Sequence, residues 1–236
     1  MTDPHSSNEK DIETFELKMS FESQSPPILH HLQPIDPKNL IHKSFENIDT
    51  AHRNGLLHAG TWIYVVDQTL ANQPRILLLK RGPKLVTCPS SWGLVGEHAF
   101  KDEKPVETVR RGIKEELGMR ALEFIDQHGS IRNITDIPVY YYRAYGKRNG
   151  NRIDSQITYL YLVEIGFDSG KTKNMNQVDD LLDLDDEVAD HQWVSLPKLK
   201  EWNDAEKKNL SDFCHDTIVS LMELGLERLQ IMLQGL

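Results

Sequence analysis

Cysteine is nearly missing from this chain: Cys88 and Cys214 are the only two in 236 residues. They lie far apart in sequence and lack metal-ligand spacing. No disulfide framework is expected, and a reducing compartment is the natural expectation. Apolar runs long enough to cross a bilayer are absent too. The polar N-terminus has no apolar core of a signal peptide, so the expected location is cytoplasmic, without membrane contact. Positive charge is in deficit, with 27 Lys and Arg against 36 Asp and Glu and a net charge of −9. No long basic stripe is present, so binding to nucleic acid over the surface is not expected. A phosphorylated small molecule held in a local pocket is compatible with this balance.

What is present suits one globular domain with extensions. Residues 1–36 are expected to form an extension, disordered over 1–12. Phe15, Leu17, Met19 and Phe21 alternate with polar residues and predict a half-buried strand, ended by Ser25, Pro26 and Pro27. The domain spans 37–202. A short helix is expected within 37–50, then a hairpin of strands 61–67 and 75–81. Further strands are expected near 123–132, over 139–145 and 156–165 (with Asn149-Gly150 as a turn signal between these two), and over 191–195. The segment 203–236 is expected to be helical, with Ser211 as a cap, a helix to about Leu224 and Gly225 as punctuation. Its apolar face (Leu226, Leu229, Met232, Leu233) packs on the domain in the preferred reading and forms a homodimer contact in the alternative. Strands mixed with one well-marked helix predict an α/β/α sandwich on a mixed sheet.

The densest chemistry lies between Gly96 and Met119, G-E-H-A-F-K-D-E-K-P-V-E-T-V-R-R-G-I-K-E-E-L-G-M. Pro105 suits a first helical turn. Val106, Val109, Ile113 and Leu117 make an apolar stripe at helical spacing, and Gly118 is a natural stop. Arg111 shares a face with Glu115, and Gly112 with Glu116. Two adjacent carboxylates on a helix beside a glycine-containing loop suit a hard divalent cation such as Mg²⁺. Such a cation neutralises charge developing on a diphosphate. Taken alone, the Glu pair reads as a solvated helix face; the spacing over more than twenty residues, with Trp92 just ahead of the loop, is what favours the metal reading.

The segment resembles the box of the Nudix hydrolase superfamily, G-x5-E-x7-R-E-U-x-E-E-x-G-U, with U a bulky apolar residue. Glu103, Arg111, Ile113, Glu115, Glu116, Gly118 and Met119 match it. Two positions depart: Glu97 stands where the opening Gly belongs, and Gly112 where a Glu should follow the Arg. The resemblance implies a Glu103–Arg111 ion pair tying loop to helix. It also implies a metal held by Glu115 and Glu116 with the Gly96 carbonyl. Two accounts of Gly112 compete: close packing of the helix on a neighbouring strand, or, because one carboxylate is lost at 112 and one gained at 97, Glu97 filling the space that Gly112 leaves open, there to ligate the metal or orient the water.

A second likeness is to the branch containing isopentenyl diphosphate isomerase. That enzyme holds a metal through two histidines ahead of the first core strand and a third that follows its catalytic Cys. His52, His58 and His98 fall at matching or nearly matching places, and His98 is taken as a metal candidate. Gly96 occupies the position of the Cys, and Cys88 is no substitute by position, so isomerisation is disfavoured. Imidazole ligands would shift preference toward Mn²⁺ or Zn²⁺.

Glu187, in the acidic run before the strand carrying Trp193, is expected to add a further carboxylate. Lys80, Arg81, Arg143 and Arg152 are substrate candidates, with tyrosines nearby to stack on a base. The expected activity is Mg²⁺- or Mn²⁺-dependent hydrolysis of a small diphosphate-linked metabolite, one partner a nucleoside, with water attacking phosphorus. Catalysis is expected to rest on Glu97, Glu115, Glu116 and Glu187. The competing class is a Nudix-like module that binds a ligand without turnover, having lost the Glu at 112.

Overall fold

The computed structural model describes residues 10–17, 33–68, 73–147, 150–165, 176–204 and 212–221, together with Leu229 and Ile231. Expectations for Met19, Phe21, Ser25 to Pro27, Asn149, Ser211, Leu224 to Leu226, Met232 and Leu233 lie outside these residues.

Strand β1 (Ile12–Leu17) pairs antiparallel with β3 (Leu40–Glu46) and touches β4 (Leu57–Asp67). Order therefore begins earlier than expected, since Ile12 is fully buried and bridges Phe100. The buried side chains of β1 are Ile12 and Thr14, while Phe15 is only half-buried. The apolar alternation marked the other face. The helix expected within 37–50 is mostly strand. A 3₁₀ turn (Pro37–Asn39) leads into β3, and only Ile48–Asn54 is helical (α1), started by the Asn47 side chain accepting from the Asp49 amide. Pairing with β1 along its whole length overrides the local preference of β3.

The sheet runs β11 (Val188–Ser195), β5 (Arg75–Arg81), β4, β10 (Ile153–Ile165), β9 (Val139–Ala144), β2 (Gln33–Pro34). β4 and β10 are parallel and central, and the other pairings are antiparallel. That makes the sheet mixed, as the strand pattern predicts. Short strands β6 (Trp92–Gly93), β7 (Val95–His98) and β8 (Ser130–Asn133) pair with β5, β4 and β10. Each face of the sheet carries its own core. On one side α2 (Pro105–Leu117) and α3 (Met119–His128) bury Val109, Ile113, Leu117 and Ile125 against Ile63, Val65 and Val163. After the short helix α4 (Asn176–Asp179), the chain supplies the other side: Leu199 of α5 (Leu196–Asp204), Leu221 and Leu229 pack on Tyr64, Leu78 and Leu162. These are the layers of an α/β/α sandwich.

Two further expectations are corrected. The strand placed near 123–132 is largely α3. Gly118, at φ 91°, stops α2, and Ala121, Leu122 and Ile125 then restart a helical stripe. A strand forms only over 130–133. The two cysteines are joined as a disulfide, Cys88–Cys214, across 126 residues. The 82–91 loop meets the segment before α6 (His215–Val219), where the Cys214 amide donates to the Trp92 carbonyl. Separation in sequence said nothing about proximity once the sheet brought both ends together. The pairing removes the compositional ground for a reducing compartment. Among the described residues no helix is long and apolar enough to cross a membrane.

Candidate metal and diphosphate site

Strand alternation sorts the side chains of β7 onto opposite faces. Gly60 of β4 lies opposite His98, and His58 of β4 lies opposite Gln156 of β10. Residues two apart share a face, so His58, His98, Asp154 and Gln156 gather on one side of the sheet. Gly60 suits that position because a Cβ there would come within 2.9 Å of the Glu97 backbone carbonyl and displace the Gln156 side chain. Helix α1 closes over this face and adds His52, which is buried. It is stopped by Gly55 in the left-handed conformation, packed against Ile153. The three imidazole centroids stand 5.1 Å from one another. Their ligand atoms lie within 4.8 Å of each other, a spacing that can hold a metal ion.

These imidazoles are neutral near pH 7. Burial lowers His52 to about 3, helped by His58 and Arg152, and lowers His58 to about 4. Burial and the neighbouring histidines hold His98 well below its ordinary value. The His58 Nδ1 donates to the Leu56 carbonyl (2.8 Å), which leaves its Nε2 with a free lone pair. That Nε2, the His52 Nε2 and the Asp154 Oδ1 are all buried without a hydrogen-bond partner. Nε2 of His58 and of His52 lie 3.7 Å and 4.0 Å from Asp154 Oδ1. Burial, then the nearby Asp216, raises the Asp154 carboxyl to about 7. Three orphaned polar atoms facing one another are costly unless something bridges them. A divalent cation with nitrogen and oxygen ligands fits that set.

On the other face of β7, Glu97 packs against α2. A Cβ on Gly112 would lie 3.0 Å from the Cβ of Glu97, so the two positions share one space. Arg111 organises the rest. Its guanidinium donates twice to Glu103 (2.9 Å each), to the His98 carbonyl (2.5 Å) and to Glu115 (3.1 Å), and it pairs with Glu97 at 3.1 Å. It also stacks 3.6 Å over Phe100. Burial would raise Glu103, but the Arg111 bonds overcome this and hold its carboxyl below the usual range. Burial pushes Glu97 up to about 7 against the pull of Arg111. Burial, and then the Glu97 charge, puts Glu116 at about 7 as well.

The structure thus divides the expected metal ligands. Glu115 is 52 % exposed, held by Arg111 and away from the cavity wall. Glu97 and His98 are consecutive on a strand and point to opposite faces, so His98 is set apart from Glu97, Glu115 and Glu116, whose carboxylates lie near one another on the α2 side. One cavity nevertheless adjoins both groups. His52, His98, Asp154 and Gln156 line it together with Glu97, Glu116 and Glu187. Gly96, Lys80, Arg81 and Arg152 also line it, while Arg143 is exposed outside it. Asp154, Gln156 and Asp216 escaped the sequence reading. The parallel register of β10 on β4, which brings Asp154 and Gln156 to His58, leaves no local sequence mark.

A model of the NUDIX domain matches residues 56–213. No curated protein sequence matches the chain. Among solved structures, the chain is similar to DR0079 of Deinococcus radiodurans, with 15% identity over 84% of this chain and 97% of that one, at a TM-score of 0.50. A C. elegans Ap4A hydrolase in a binary complex is 16% identical over 75% of this chain and 98% of its own, at 0.46. The NUDIX domain of Shewanella oneidensis NrtR, complexed with ADP ribose, is 15% identical over 74% and 87%, at 0.44. Identities this low speak to fold alone, and the first of the three supports the sandwich described above. The family rests instead on the domain match, which takes in both short strands of the loop, the box helix and two of the three histidines: this chain belongs to the Nudix family.

Proposed function

We propose that this Nudix protein hydrolyses a small diphosphate-linked metabolite, one partner a nucleoside, with a divalent metal held by His52, His58 and His98. Residues 37–202 are the catalytic unit in this reading, completed by β1 from the N-terminal extension and by Phe213, Leu221 and Leu229 on the far face. Nudix hydrolases generally need divalent metal ions. The observation that carries the proposal is the trio of unpartnered buried atoms, His52 Nε2, His58 Nε2 and Asp154 Oδ1, beside a cavity whose wall also holds Lys80, Arg81 and Glu116. Imidazole ligands favour Mn²⁺ or Zn²⁺ over Mg²⁺. Bound there, the ion would act as a Lewis acid on a phosphoryl oxygen and lower the pKa of a coordinated water.

The chain's own groups supply the rest. Lys80 and Arg81 neutralise the diphosphate, and Arg81 already lowers the proton affinity of Glu116 against its burial. The Glu116 carboxyl, poised at about 7, takes the proton from the attacking water at neutral pH. Glu187, whose carbonyl accepts from the Gly82 amide at 2.7 Å, flanks Glu116 and raises it further. Tyr145 lines the same cavity and offers a ring to a base.

The competing reading, a binding module without turnover, draws on one observation: Arg111 occupies both Glu97 and Glu115. One experiment separates the two. Diphosphate compounds are screened with Mg²⁺, Mn²⁺ and Zn²⁺ for cleavage into two phosphomonoesters, read as phosphate freed by an added phosphatase, and each is also titrated for binding. Turnover that Glu116→Gln reduces by about 10²–10⁴-fold, with binding retained, supports hydrolysis. Metal-dependent binding of a diphosphate with no cleavage of any compound would make the module reading correct.

A further inference from the structure

The tautomer of His52 points to a latch. The Nη2 of Arg152 lies 3.0 Å from His52 Nδ1, and a guanidinium only donates, so Nδ1 accepts. A neutral imidazole carries one ring proton, which must then sit on Nε2. That is the nitrogen facing His58 and Asp154, and a protonated nitrogen cannot ligate a metal. Ligation through Nε2 therefore requires the ring proton to leave Nε2 and another to arrive at Nδ1, with no net gain or loss. Once Nδ1 bears a proton it repels the donor that Arg152 aims at it. Arg152 and a metal therefore cannot act on His52 together in this arrangement.

Arg152 borders the space a substrate would occupy. It lines the cavity, and its Nε is buried without a hydrogen-bond partner. Its other anchor is Asp49, at 2.5 Å, whose side chain is 59 % exposed. We propose that Arg152 is a positioning residue that caps His52 in the metal-free protein and is transferred to the diphosphate of the substrate when the metal binds. The proposal rests on the histidine reading of the metal site. Its consequence is that metal and diphosphate favour each other's binding by the same factor, because each removes Arg152 from the position the other needs vacated or filled. Such coupling commonly amounts to about 5–150-fold.

The test uses the full chain, Mn²⁺ and methylenediphosphonate, a diphosphate that cannot be hydrolysed. Calorimetry should show Mn²⁺ binding tightened at least about fivefold by the diphosphonate in the wild type. Arg152→Met should bind Mn²⁺ alone more tightly than the wild type, since its competitor for His52 is gone, and should lose most of the coupling. ¹⁵N imidazole spectra of the unaltered protein add a readout that needs no variant. His52 should carry its proton on Nε2 without metal and on Nδ1 with Zn²⁺. A proton already on Nδ1 in the metal-free wild type, or coupling that persists in Arg152→Met, overturns the latch. His58→Gln separates the two levels of argument. If Mn²⁺ affinity survives that change, the histidine site itself fails and the latch with it. If affinity is lost there yet Arg152→Met leaves metal affinity and coupling unchanged, only the latch fails.

Discussion

Glu97 and His98 are joined by one peptide bond and belong to opposite kinds of cluster. Around Glu97 the groups are matched: Arg111 serves Glu97, Glu103, Glu115 and a backbone carbonyl, and none of these side chains holds a buried atom without a partner. Around His98 the groups are unmatched, with two imidazole nitrogens and a carboxylate oxygen buried and unpaired. A saturated network holds a loop on a helix, whereas an unsaturated one is stable when something fills it. Arg111 thus ties the loop to the box helix, while the buried groups without partners lie one strand face away.

The largest effect should come from setting one side against the other. His58→Gln should cost Mn²⁺ affinity more than the ~10–100-fold typical of losing a group outside the ligand shell. Glu115→Gln should leave that affinity within about threefold, as expected for an exposed pair. Calorimetry on the two variants checks this. A large loss in Glu115→Gln with none in His58→Gln would reverse the comparison and restore the box carboxylates as ligands.

A smaller effect sharpens the boundary between the clusters. Glu116 faces the cavity, and burial raises its folded-state value from 4.5 to about 7. The fold therefore favours the protonated carboxyl. That contribution is complete below about pH 4.5 and is lost as pH rises through 7. Glu116→Gln in metal-free buffer should match the wild type at pH 4 and exceed it by about 2 kcal/mol at pH 8, because the charge that must be buried is gone. Urea midpoints at the two values read the difference. A pH-independent difference would mean that the carboxylate is solvated and unfit as a base near neutrality.

How much of this was legible beforehand follows from the range of each interaction. The Glu103–Arg111 pair, the box helix from Pro105 to Leu117 and the central strands were readable because their signals lie within about one element's length. The gathering of His52, His58 and His98 was visible only as spacing that resembled another enzyme. What makes them a cluster is β7 pairing with β4, and α1 folding over both. Asp154 carried no local mark, because it reaches His58 through a parallel pairing about a hundred residues distant in sequence. The disulfide was misjudged for the same reason. Strand β3 failed differently: 40–46 pairs with an N-terminal strand that lay in a segment taken as partly disordered.

The smallest effect bears on the two departures from the box, Glu97 and Gly112, which belong together sterically. Alanine in place of a mid-helix glycine ordinarily gains about 1 kcal/mol. At Gly112 the new Cβ would come within 3.0 Å of the Glu97 Cβ, an atom fixed to the strand backbone, and 3.5 Å of Ile63 Cδ1. Helix α2 and strand β7 would have to separate by a few tenths of an ångström. Overpacking of this kind costs about 1–3 kcal/mol, so Gly112→Ala should lose about 1 kcal/mol net. In a Glu97→Gly background the obstructing atom is gone, and the same alanine should gain about 1 kcal/mol. The change of sign is the coupling, and a double-mutant cycle on urea unfolding measures it. The pair Glu97→Gly with Gly112→Glu goes one step further. It returns the carboxylate to the helix while keeping the space filled, and it should recover turnover that Glu97→Gly alone loses. Additive stabilities across the alanine cycle would show that the loop and helix do not share that space, leaving Glu97 as a partner of Arg111 and nothing more.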